Sequence, residues 1–135
     1  MKLTDIRKAL ETIISKIDDD IVFLDGNWEN PKSFPFCSVM YNGLNIAEAN
    51  DERFCDPKFA IAFLYDVKVT ESGGIKTKDY MTAAEDSGDI AKDFVNALIS
   101  DRSLEVVIEQ EGAIVRYEQN GIEIAGTEVY FTVIN

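Results

Sequence analysis

Phe59, Ile61, Phe63, Tyr65, Val67 and Val69 alternate without a break, and this run constrains the chain more than any other feature. Successive strand residues point to opposite faces, so strict alternation over this length marks a half-buried β-strand. The intervening positions Ala60, Ala62 and Leu64 are also apolar at first and give way to Asp66 and Lys68. One end of the strand is therefore expected to be covered on both faces. Such a strand needs a sheet around it.

The rest of the chain supplies the partners. Ile6, Leu10, Ile13, Ile14 and Ile17 fall at spacings of three and four, which predicts an amphipathic first helix that Thr4 can cap. Asp18-Asp19-Asp20 opposes the helix dipole at its end. A strand over Ile21 to Leu24 follows, then a turn at Asp25-Gly26-Asn27. Phe34-Pro35 opens a strand in which Cys37, Val39 and Tyr41 share a face. At Asn42-Gly43 the parity changes to Leu44 and Ile46, which predicts a bulge or a turn. Residues 47–57 read as an irregular loop closed by Asp56-Pro57, and Ser72-Gly73-Gly74 as a loop tip. A second helix is expected from Asp86 or Ser87 to Ser100, buried through Ile90, Phe94, Ala97 and Leu98, with Gly88 arguing against continuity with Tyr80 to Glu85. From Ser103 three strands form a meander, broken at Glu111-Gly112 and again at Asn120-Gly121, a strong hairpin signal. Gly126 is expected to be a bulge, because Ile122 and Ile124 have the opposite parity to Val129, Phe131 and Val133. The expected fold is a single α+β domain over residues 1–135. Its antiparallel or mixed sheet carries two helices in the order α-β-β-β-α-β-β-β.

Charge narrows the function. The 135 residues include 13 basic and 25 acidic side chains, a net charge of −12, and no basic run longer than Lys76-Thr77-Lys78. Proteins that hold nucleic acid neutralise phosphates with clustered Lys and Arg, so neither nucleic-acid nor membrane binding is expected. No apolar run approaches the roughly 18 residues of a membrane span. Cys37 and Cys55 form no CxxC pair and there is no histidine. The expectation is reduced thiols in a cytoplasmic protein, with no metal and no cofactor.

The residues suggest no catalytic site either. Without histidine the usual general base and metal ligand are missing. Cys37, inside an apolar strand, reads as a small core hydrophobe. Cys55 beside Arg53 is thin evidence for a lowered thiol pKa. The segment Asp18-Asp19-Asp20 to Asp25-Gly26-Asn27 invites a calcium reading, but Ile21 and Phe23 occupy places where an EF-hand loop needs ligands. Trp28, the only tryptophan, sits among Asn27, Glu29 and Asn30 and is either a lid over the core or a contact point for a partner. Val129, Phe131 and Val133 with Tyr130 and Ile134 make both faces of the last strand apolar or aromatic. Either the helices cover one face each, or a second subunit covers the spare face; the wet positions Glu105, Glu109, Arg116 and Glu118 favour the second.

The order of elements resembles the tail-terminator and head–tail joining (neck) proteins of long-tailed bacteriophages and prophages. The likeness rests on the amphipathic first helix, Phe34-Pro35-Phe36, the alternating Phe59–Val69 strand and Ser72-Gly73-Gly74. Ala97-Leu98 and the closing Gly126-Thr127-Glu128-Val129-Tyr130-Phe131-Thr132-Val133 complete it. It implies a non-enzymatic homo-oligomeric ring, commonly a hexamer, that meets other tail or connector proteins. Such a subunit would occupy the host cytoplasm and then the virion. Candidate contact residues are Trp28, Leu44, Ile46, Phe54, Gly73, Gly74 and Tyr130. Two other readings compete. One is a small-molecule-binding or enzymatic cone-shaped domain, with a cavity lined by Phe59, Ile61, Phe63, Tyr65 and Trp28. The other is a binding module using Trp28 and the 45–56 loop.

Overall fold

The computed structural model describes residues 2–25, 35–49, 52–67, 79–119 and 122–134. It is an α+β fold: helix α1 (Leu3–Ile17), strands β1 (Val22–Asp25), β2 (Phe36–Ala49) and β3 (Glu52–Asp66), helix α2 (Tyr80–Ser100), and strands β4 (Glu105–Gln119) and β5 (Ile122–Ile134). The five strands form one mixed sheet in the order β1-β2-β3-β5-β4. Only β1 and β2 run parallel; the other neighbours are antiparallel.

Both helices contribute to one core on one face of the sheet. Ile6, Leu10, Ile13 and Ile14 of α1 and Ala91, Phe94, Val95 and Leu98 of α2 pack with Cys37, Val39, Phe59, Ile61, Phe63, Val129 and Phe131. The alternation that defines β3 places Phe59, Ile61 and Phe63 together here, opposite Tyr41, Val39 and Cys37 on one side and Phe131, Val129 and Thr127 on the other. Each buried side chain of this size contributes roughly 1.5–3 kcal/mol, enough to seat two helices firmly. The other face carries a smaller cluster of Phe36, Ala62, Leu64 and Ile124. The helices therefore do not cover one face each.

Several local expectations change. Lys2, not Thr4, is the N-cap of α1. The acidic run after α1 makes a turn in which the Asp20 N–H donates to Asp18 Oδ1 at 2.9 Å, while Lys16 supplies the favourable charge in the last helical turn. Helix α2 is continuous from Tyr80 and capped by Asp79, whose Oδ1 accepts from the Thr82 N–H at 2.8 Å. Gly88 does not break it, because the small residues of its first half bring the helix close to β5. Ser87 and Thr127 hydroxyls meet there at 2.9 Å, a buried polar pair that satisfies itself. At the same end of the sheet Arg116 pairs with Glu123 and stacks 4.8 Å from the Tyr80 ring centre, tying the start of α2 to β4.

The meander has two strands, not three. Glu111-Gly112 is an interruption inside β4, with Gly112 at φ +81° and the pairing with β5 shifting between Glu111 and Ala113. A glycine at positive φ serves a bulge as well as a turn, so the sequence signal was the same for both. β5 passes Gly126 without a shift in register, so Ile124 is buried on the far face while Val129 is buried under the helices. The asymmetry of parity records two apolar faces, not a bulge.

Residues 47–49 and 52–57 are strand, not irregular loop. β2 and β3 stay paired from Phe36 opposite Leu64 to Ala49 opposite Glu52, with one shift between Tyr41 and Leu44. Asn42 and Gly43, the latter at φ +90°, form the bulge. Pro57, opposite Leu44, lies just past Lys58–Thr132, the last pair joining β3 to β5, a place where its missing N–H costs no bond to β5. The Trp28 and Ser72-Gly73-Gly74 expectations lie outside the described residues, as does the Asp25-Gly26-Asn27 turn beyond Asp25.

Candidate functional site

Among the described residues, the sheet beyond the bulge is two strands wide. β1 pairs with β2 only from Phe36 to Val39, and β5 pairs with β3 only as far as Lys58. Leu44–Ala49 and Glu52–Pro57 therefore continue as a ribbon, about 20 Å long at roughly 3.4 Å per residue. Leu44 stands opposite Pro57, Ile46 opposite Cys55, Ala47 opposite Phe54 and Glu48 opposite Arg53. The sequence-based candidates Leu44, Ile46 and Phe54 thus share one ribbon. Leu44 is 49% exposed at its root, beside Met40 at 46% and Tyr41 at 45%.

Tyr130 lies elsewhere. It sits half-buried on β5, opposite Ala60 on the face away from the helices, and its hydroxyl donates to Glu128 at 3.1 Å. Around it Thr132 donates to Glu109, and Lys58 lies 3.9 Å from the same carboxylate. This end of the far face is laced with polar contacts instead of bare apolar surface. Glu105, Glu109, Arg116 and Glu118 are exposed, as their spacing predicted.

A groove of about 420 Å³ opens at the root of the ribbon on the helix side, lined by Leu3, Thr4, Arg7, Val39, Tyr41 and Phe59. Sequence reasoning missed it, since it joins the first turns of α1 to strands far along the chain. Of the residues expected to line a cone-shaped cavity, Ile61 and Phe63 are solid core. Phe63 packs against Phe94 with ring centres 5.4 Å apart, and Phe94 against Phe131 at 6.0 Å. Among the described residues of that set, Phe59 alone also reaches the groove.

Cys37 is a free, buried thiol, and burial pushes its pKa up to about 12. At neutral pH it is a protonated core side chain and a poor nucleophile. It cannot bridge Cys55 within one chain. Cys55 pairs with Ile46, about 30 Å along β2 from Cys37 at roughly 3.4 Å per residue, far beyond disulfide reach. The carboxylates of Asp18, Asp19 and Asp20 lie within 4.8 Å of one another, and the turn they close accounts for them. Asp101, at the end of α2, accepts from both the hydroxyl and the N–H of Ser103, which holds its carboxyl below the ordinary range. No helix among the described residues is long and apolar enough to cross a membrane.

The class that these features define is a two-layer α+β domain, a mixed sheet with both helices on one face and a projecting two-stranded ribbon. Neither a protein-family model nor a curated protein sequence matches the chain.

Proposed function

We propose that this chain is a non-enzymatic structural subunit that assembles with copies of itself. The reading we favour is a ring-forming tail-terminator or head–tail joining (neck) protein of a long-tailed bacteriophage or prophage. The observation that carries self-assembly is the ribbon. A two-stranded hairpin is marginal in water, and one that leaves a body of five strands gains most from a partner that buries it. The acidity fits a lumen through which DNA passes, because like charge keeps the polymer from adhering. Neighbouring tail or connector proteins would then contact the assembled ring.

A second reading, a small-molecule-binding domain, draws on the groove, where the Arg7 guanidinium beside Val39, Tyr41 and Phe59 suits a ligand that joins an apolar body to a carboxylate. Native mass spectrometry across a range of protein concentrations, with negative-stain imaging of the largest species, separates the two. The structural reading expects closed particles with a fixed number of subunits. A strict monomer at high concentration would overturn it and leave the groove as the better guide.

A further inference from the structure

We propose that the outer edge of β2, from Met40 to Ala49, pairs antiparallel with the same edge of a second copy of this chain across a two-fold axis. The inference rests on the self-assembly reading but not on the ring. Among the described residues no strand pairs with this edge: the described pairs of β1 with β2 run from Val22 opposite Phe36 to Asp25 opposite Val39. The backbone N–H and C=O groups that face away from β3 are thus a template for another strand.

Charge distinguishes this edge from the other long one. β4 carries Glu105, Glu109, Glu111, Arg116 and Glu118, and its register is broken twice, between Ile108 and Gln110 and between Glu111 and Ala113. Charges and bulges of that kind are how natural sheets prevent edge-to-edge association. The β2 edge has no charged residue but Glu48, in a molecule of net charge −12. Two such acidic molecules approach with least repulsion where each presents the least charge. The exposed Met40, Tyr41 and Leu44 add apolar surface at the same place.

The occupant follows from symmetry. A foreign partner would have to bring a free strand of its own, whereas a second copy carries the matching edge by construction. In an isologous contact both edges are satisfied at once. The bulge at Asn42-Gly43 interrupts the edge near its start, so the regular pairing runs over Leu44–Ala49 and the axis falls near Ile46 and Ala47. A two-fold contact cannot by itself close a ring of more than two copies, so a ring would need head-to-tail contacts elsewhere on the subunit, and this pairing would join one ring to another.

Single cysteines placed in turn at positions 44 to 48, in a Cys55→Ser background, test the geometry. A residue can be oxidatively cross-linked to its own copy only close to a two-fold axis. The expected result is a covalent dimer at one or two adjacent ribbon positions and none from Val107→Cys on β4. Leu44→Glu, at an exposed site, should weaken association by about tenfold or more, since it buries a new carboxylate in the paired edge of an already acidic molecule, while the circular dichroism spectrum stays unchanged. Val107→Glu should leave association as it was. Oligomers that cross-link through position 107 and ignore Leu44→Glu would overturn this contact while sparing self-assembly. A monomer that cross-links nowhere would overturn both.

Discussion

Phe94→Ala is expected to lower the free energy of unfolding by about 3–5 kcal/mol, the usual cost of emptying a large aromatic site in a core that cannot collapse around it. Phe94 is fully buried and stands between two other rings, Phe63 of β3 and Phe131 of β5. It is the side chain through which α2 grips the centre of the sheet. A small domain is stable by only about 5–15 kcal/mol, so one substitution would remove a large part of the margin. Urea denaturation followed by circular dichroism should show the midpoint fall with an unchanged slope. A loss below about 1 kcal/mol would mean that the helix is not seated as described.

Gly126→Ala is expected to cost about 3 kcal/mol or to prevent folding outright, because the backbone leaves no room for a methyl group. A Cβ built on Gly126 would lie 1.8 Å from the carbonyl oxygen of Phe63 and 3.0 Å from the Cα of Leu64. These are backbone atoms of the neighbouring central strand, so they cannot swing aside as a flexible side chain would. β3 and β5 would have to part at the middle of the sheet. Gly88→Ala is the internal control. Its new methyl would meet only the Thr127 hydroxyl oxygen at 3.9 Å, an ordinary contact, and removing a glycine from a helix interior should stabilise by about 0.5–1 kcal/mol. The two glycines are one residue type with opposite expected signs, and the same urea titration reads both.

Gly126 also shows where sequence reasoning succeeds and where it fails. The apolar stripe of α1 was legible because Ile6, Leu10, Ile13 and Ile14 repeat at helical spacing, and all four are buried. The core of β3 was legible for the same reason at period two. The first half of α2 was not, because Ala83, Ala84, Ser87, Gly88 and Ala91 are small and polar or weakly apolar, so the stripe fades where Ser87 of the helix meets Thr127 of β5. Parity around Gly126 suggested a bulge because a strand buried on both faces at one end and one at the other looks the same in one dimension.

The ribbon was hidden for a different reason. Glu52, Arg53, Asp56 and Lys58 give no alternating pattern, and Asp56-Pro57 looks like a loop boundary. What holds those residues in a strand is backbone pairing with β2, which leaves little mark on composition. Leu44 and Ile46 were singled out on an expected strand and Phe54 in an expected loop, and the ladder gathers them on one projecting element. Tyr130 was singled out for apolar surface, yet its hydroxyl is bound to Glu128 among polar neighbours. A strand sequence reveals which side chains alternate, but not which edge is left open.

In the proposed assembly the ribbon is where copies of this chain meet. Hydrogen–deuterium exchange of the segment from Met40 to Ala49, measured at a low and a high protein concentration, addresses that directly. Free ribbon amides on the outer edge should exchange quickly at low concentration and become protected at high concentration, while the β4 edge exchanges alike at both. Equal, rapid exchange of the β2 edge at both concentrations, in a sample whose mass nonetheless shows association, would contradict it.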